Sequence, residues 1–354
     1  MPSCYFWRDR NSKPRKCQAG LPELESPPTL LDVGVARYMA RRLFFALVLV
    51  LGVSALIFFL INAIGNPVDM LMADRPGITD QAIASLKAYY HLDRGVIPRY
   101  LLWLGSVARG DFGTSVTYNQ PVGPMLIDYG LETLKLQIPA IVLGLLLAIG
   151  IASLAAVRQY SRVDFSVMTG ALLGHSLPGF LVGILLILVF AYWFGIFPSY
   201  GAYSTLTPLW GSPFLDGLWH MVLPLCMLTL FNTATLTLLL RGNMVDVLRH
   251  DYIMAARASG LPERRVVFGH ALRNAIIPVL TYLGILFGLM LATAPVTETV
   301  FTWPGAGFLY INAIQQLDYP VIMGETLIVT VMLVLFTLLT DIVYVIVDPR
   351  IRLE

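Results

Sequence analysis

The chain has 354 residues, 57% apolar and 13% charged, with a mean hydropathy of +0.72, a net charge of +2 and a pI near 8.4. Soluble proteins hold about 45–50% apolar and ~25% charged residues, so most of this chain belongs in lipid. The same figures exclude intrinsic disorder, collagen-like repeats and, with only Cys4, Cys17 and Cys226, a disulfide scaffold; the near-neutral charge argues against nucleic-acid partners.

Residues 1–36 carry Pro2, Pro14, Pro22, Pro27 and Pro28 among scattered charges and read as a disordered cytoplasmic tail. The apolar run that follows starts too late and is too long for a signal peptide, and Met39 is an alternative start. Residues 37–354 then read as one transmembrane domain. A spanning helix needs about 20 mostly apolar residues, and six runs qualify. They are Leu43 to Ile64, Leu134 to Val157, Phe165 to Phe197 in part, Leu218 to Leu240, Ile276 to Ala294, and Val321 to Val347 in part.

Arginines orient them by the positive-inside rule. Arg37, Arg41 and Arg42 precede the first span, Arg158 and Arg162 separate the second and third, six arginines from Arg241 to Arg273 separate the fourth and fifth, and Arg350 and Arg352 end the chain. The opposite connections, Pro198 to Gly217 and Pro295 to Pro320, contain neither Lys nor Arg. Both termini are therefore expected in the cytoplasm. The long outer connection, residues 66–130, reads either as a spacer or as a folded surface element. Gln81 to Tyr90 and Pro98 to Ala108 show helical spacing, and Gly110 and Gly113 break the pattern.

The inside segment 241–275 predicts helix, tight turn, helix. Val245, Leu248, Tyr252, Ala255, Ala256 and Ser259 step by three and four, Gly260 suits a left-handed C-cap, and Pro262 can open the next helix. Two readings stand: a basic amphipathic helix on anionic lipid, or a projecting small-residue surface that enters a groove on another protein. The alanines before Gly260 favour the second, because they add little to lipid partition.

The string Asp251-Tyr252-Ile253-Met254-Ala255-Ala256-Arg257-Ala258-Ser259-Gly260-Leu261, followed by His270-Ala271-Leu272-Arg273-Asn274-Ala275-Ile276-Ile277-Pro278, resembles the EAA loop of ABC-importer permeases of the dipeptide, oligopeptide and nickel group. Met254 stands where that motif has its glutamate. The likeness extends to Gly110-Asp111-Phe112-Gly113-Thr114-Ser115, Ser176-Leu177-Pro178-Gly179-Phe180, Glu298-Thr299-Val300-Phe301 with Trp303-Pro304-Gly305-Ala306-Gly307, and Asp348-Pro349-Arg350. Leu92-Asp93-Arg94-Gly95-Val96 lacks the usual proline, and the long outer loop resembles that of the first of two permeases.

This resemblance implies an all-α integral membrane protein of six spans, a type I ABC-importer transmembrane domain, in a bacterial inner membrane. It implies ATPase coupling through Ala255, Ala256, Arg257, Ala258, Ser259, Gly260 and Leu261. The implied partners are a second homologous permease, two cytoplasmic ATP-binding subunits, an extracytoplasmic solute-binding protein and membrane lipid, with no cofactor on this chain. The implied solutes are short peptides, nickel chelates or other small polar compounds.

The residues are consistent with a non-enzymatic subunit. The four lysines, Lys13, Lys16, Lys87 and Lys135, never follow glycine, so no Gly-Lys-Ser/Thr phosphate loop exists, and the five histidines form no zinc-protease pair. Glu325 and Asp341 lie near the two ends of the last span and read as interfacial. His175, with Pro178 beside it, reads as a solute-path residue or as a packing histidine, and Trp303 as part of an outer gate or of an aromatic belt. The rival function is a nucleotide-independent secondary transporter or channel, which would need ionisable groups near the midplane; a membrane anchor is a third reading.

Overall fold

The computed structural model describes residues 33–64, 93–204, 208 and 211–347. The expected tail up to residue 32, the expected helix Gln81 to Tyr90 and the Asp348-Pro349-Arg350 string lie outside the described residues. Those described are helical, with no strand beyond an isolated bridge between Thr114 and Pro121.

The first helix, α1 (Val33–Ile64), begins four residues before the boundary expected at 37. After a short amphipathic helix, α2 (Val96–Val107), the chain turns through Gly110 and Gly113, both at positive φ (82° and 87°), into α3 (Val122–Val157). Helix α3 starts well before the span expected from Leu134. Asp128, Glu132 and Lys135 interrupt its apolar run, and Gly123 and Gly130 weaken the helical signal, yet Pro124 falls in the first turn where it is tolerated and buried Val122, Met125 and Leu126 hold the helix, so the outer loop ends at Pro121 rather than at 130.

The third expected span is two helices, α4 (Arg162–Ser176) and α5 (Gly179–Leu186), the second prolonged by a π-helical stretch (Ile187–Trp193). They meet at 98°. Pro178 explains the break, since it disfavours helical backbone at Leu177 (ψ 136°) and offers no N–H of its own.

Helix α6 (Pro213–Leu248) runs past the expected Leu240 and into the segment that carries α7 (Asp251–Ala258), α8 (Glu263–Arg265), a π-helical stretch (Val266–Ala271) and α9 (Leu272–Ala275). Next, α10 (Ile277–Phe301) continues through Pro295, so the expected connection from Pro295 is in part helix. Two more helices, α11 (Ala306–Gln315) and α12 (Tyr319–Val347), complete the described chain. Among the described residues, α1, α3, α6, α10 and α12 are long and apolar enough to cross a membrane, and the bent pair α4–α5 is a sixth candidate.

Small residues let α3 and α6 approach closely. Ala140, Ala148, Ala152 and Ala155 of α3 are fully enclosed, and a Cβ on Gly144 would come within 2.6 Å of Asn232 Cβ and 3.2 Å of the Thr233 amide nitrogen. With lipid on both sides of the comparison, such close packing, not hydrophobic expulsion, holds helices together. Gly144→Leu is therefore expected to push the two apart and destabilise the chain by about 3 kcal/mol. An unchanged melting temperature in detergent would remove this contact from the account.

The arginine-rich connections gather at one end of the bundle. There Asp164 accepts from Arg241 Nε (3.0 Å) and Nη2 (2.6 Å) and from the Tyr160 amide (2.9 Å), tying α4 to α6. Arg42 pairs with Asp341 at 3.3 Å, joining α1 to α12.

Candidate functional site

At the arginine-rich end, α7 stands on one anchor and otherwise projects. Ile253 is fully buried among Leu240, Met244, Val266 and Val267, while Met254, Ala255, Arg257, Ala258 and Ser259 are exposed and Ala256 and Leu261 half-buried. Gly260 ends the helix at φ 78°. Its N–H donates to Arg257 O (3.0 Å) and the Leu261 N–H to Ala256 O (3.4 Å), the paired bonds of a Schellman motif. Arg257 then spans the turn, donating from Nη2 to Glu263 Oε1 (2.6 Å) and from Nε to Glu263 Oε2 (3.2 Å). The Asn274 side chain donates to Tyr252 OH (2.7 Å), bracing α7 against α9. The product is a rigid, small-residue knob joined directly to α6 and, through α8 and α9, to α10.

The break between α4 and α5 lies midway between Arg162 and Trp193. His175 and Ser176 are exposed there, His175 Nδ1 lies 3.0 Å from Thr235 Oγ1 of α6, and Pro178 forms the corner. Non-helical backbone at membrane depth persists only inside protein or beside water. Thr229, Asn232, Thr233, Thr235 and Thr237 add a run of uncharged polar groups on α6.

At the opposite end, Trp303 is 2% exposed and its Nε1 donates to Glu132 O (3.1 Å). That burial corrects the aromatic-belt reading, because a belt indole needs a face toward headgroups. The surrounding elbow centres on Glu298, which the sequence reading quoted only within a motif. Its Oε1 accepts from Thr133 Oγ1 (2.6 Å) and its Oε2 from the Phe308 amide (3.0 Å), while Thr133 Oγ1 accepts from the Ala306 amide (2.8 Å). Helix α11 thus has its first-turn N–H groups capped by side chains from α10 and α3. A Cβ on Gly305 would collide with the Glu298 carboxyl group, and one on Gly307 with the backbone of Pro295.

Two further acids are buried here. Glu325, expected at the interface, is 3% exposed in the second turn of α12. Asp318, just before α12, is fully enclosed, and its Oδ2 accepts from Ser115 Oγ (2.5 Å) and the Thr117 amide (3.0 Å), fastening the turn after Gly113 to the start of α12. Neither partner is near in sequence, so no local pattern announces the contact.

Among the described residues the chain is a multi-span helical membrane protein with a projecting alanine-rich helix-turn-helix at one end. Comparison with known proteins makes the class specific: residues 136–353 match the binding-protein-dependent transport system inner membrane components, and the chain belongs to that family. It is 37% identical over 320 residues to the oligopeptide transport system permease protein AppB of Bacillus subtilis, covering 90% of this chain and 100% of that one. Identity is 36% over 335 residues to the dipeptide transport system permease protein DppB of Escherichia coli, covering 89% and 98%. It is also 36% over 331 residues to the di/tripeptide transport system permease protein DppB of Pseudomonas aeruginosa, again covering 89% and 98%. The protein is thus an inner-membrane permease component of an ABC transport system.

Proposed function

We propose that this chain is the permease subunit of an ATP-driven importer of short peptides, with six spans and both termini in the cytoplasm. It would pair with a second, similar permease, with two ATP-binding subunits inside and a peptide-binding protein outside. The observation that carries the reading is the exposed Ala255–Leu261 knob seated on buried Ile253. The names of the three relatives support peptides as the solute.

In this reading ATP is hydrolysed on the partners, since the chain has no phosphate-binding lysine loop. Closure of the ATPases moves the knob as a rigid body, and its direct continuity with α6 passes that motion to the spans. The α4–α5 break, with His175 and Pro178, lies beside Thr235 of α6 and supplies a hydrated wall along which a peptide's amides and carbonyls pass. Trp303 acts at the outer end by holding the α10–α11 elbow closed against α3, a support for gating rather than a contact with solute.

Orientation is tested with single cysteines and a membrane-impermeant maleimide. Cysteines at Gln159 and Ser259 are expected to be protected in intact cells and one at Gln315 to be labelled. External labelling at Ser259 would overturn both the orientation and ATPase docking.

A further inference from the structure

A cavity of about 460 Å3 lies between the last turns of α1, one face of α2, the Gly110–Gly113 turn and the first turns of α12. Its wall is mostly apolar, with Phe58, Trp103 and Met323 among the lining residues, and it also holds two guanidinium groups, those of Arg99 and Arg109, and one carboxylate, that of Asp111. Asp111 Oδ1 already accepts from the Gly113 amide (2.9 Å). Arg99 Nη2 donates to Asn62 Oδ1 (2.5 Å), a neutral partner, and its Nε is buried without a hydrogen bond. Among the described residues neither arginine forms an ion pair. The cavity therefore pairs apolar walls with unspent positive charge.

Its location bears on what fills it. Helix α2 has no fully buried residue, and Ile97 and Leu101 are 65% and 60% exposed. A twelve-residue helix whose outward residues are this apolar is suited to contact with lipid, and it lies against the second half of α1, through Tyr100 OH to Ser54 Oγ at 2.8 Å and Arg99 Nη2 to Asn62 Oδ1 near the end of that helix. Arg99, Trp103 and Ser106 follow the three- and four-residue steps of one face of α2, and Arg109, in the turn just after the helix, also lines the cavity. A small hydrated anion would have no use for the aromatic and aliphatic walls, and an uncharged lipid would leave the guanidiniums unmatched.

We propose that this cavity holds one anionic phospholipid, its phosphodiester against Arg99 and Arg109 and its upper acyl segment against Phe58, Trp103 and Met323. Bound there, the lipid fills the gap between α1, α2 and α12 and fastens the interfacial helix to the bundle.

The test uses the complete transporter purified in mild detergent, with retained phospholipid counted by native mass spectrometry. The unmodified complex is expected to keep one phosphatidylglycerol that the double variant Arg99→Gln, Arg109→Gln loses. Ser106→Phe, which narrows the cavity and leaves both arginines in place, is expected to lose it too, and it decides the matter if the double variant does not assemble. Arg94→Gln, a change outside the cavity lining, should retain it. In delipidated complex, adding phosphatidylglycerol should raise the melting temperature more than adding phosphatidylcholine, and inorganic phosphate should leave it unchanged. Equal lipid retention by the unmodified complex and Ser106→Phe would overturn the proposal. So would an equal shift with inorganic phosphate, which would make this a site for a free anion.

Discussion

Gly260→Val is expected to leave the chain inserted in the membrane and to abolish ATP-dependent uptake. The φ of 78° places Gly260 in the left-handed region, where an L residue costs about 1–2 kcal/mol and a β-branched one stands at the upper end. Nothing lies within 4 Å of a Cβ built there, so the effect is backbone strain rather than collision. To relieve it, the turn must give up the Gly260 and Leu261 amide bonds that close α7, and Ala255–Leu261 then loses its fixed shape. A strain of about 2 kcal/mol corresponds to a ~30-fold fall in the population of the closed turn. Valine is a sharper probe than aspartate, which tolerates left-handed backbone better than most residues. Arg257→Ala should act in the same direction but less, because its ion pair with Glu263 is exposed on both sides and such pairs are worth about 0.2–1 kcal/mol. Membrane level, co-purifying ATPase and peptide uptake into intact cells are measured together. Parental uptake by Gly260→Val would show that the turn's geometry is dispensable.

The largest expected loss of stability comes from Glu298→Ala. Glu298 is 1% exposed and two of its neighbours, the Thr133 hydroxyl and the Phe308 amide, donate to it. Removing the acceptor strands buried donors, each at about 1–3 kcal/mol, and opens a void beside α11, so a total on the order of 3–5 kcal/mol is expected. Glu298→Gln keeps one acceptor oxygen and should fall between. Gly305→Ala, which changes no polar group, should mimic the loss by forcing the carboxyl group out of place. The readouts are detergent melting temperature and the protease sensitivity of the α10–α11 elbow. If Glu298→Ala melts with the parent, the capping network contributes nothing and the elbow is held by Trp303 packing alone.

How far the sequence could be read depended on the range of the interactions. The turn at Gly260 is local. Gly260, Pro262 and the alanines specify a Schellman ending within six residues, and the turn falls where it is predicted, although the pattern expected to run from Val245 to Ser259 is broken between Leu248 and Asp251 and Val266–Ala271 is π-helical. Hydropathy located the long apolar helices but misjudged their ends wherever tertiary partners take over. Asp128 and Glu132 stopped the apolar run although α3 continues through them, and Pro295 suggested a loop although α10 passes through it. The 98° bend was marked by Ser176-Leu177-Pro178-Gly179, yet one long apolar run concealed that it is two helices. The elbow and the Ser115–Asp318 clasp depend on pairs 165 and 203 residues apart, which no window of local pattern brings together. Their only trace in the sequence is acids in otherwise apolar surroundings and glycines where a side chain would collide with them.

The central claim is that Ala255–Leu261 is where energy enters the transporter. A photoreactive amino acid at Ala258, exposed and outside the turn's hydrogen bonds, tests it in native membranes. The expected result is a cross-link to an ATP-binding subunit whose yield changes when nucleotide is added. Cross-links to lipid alone, in a complex that still imports peptide, would contradict it.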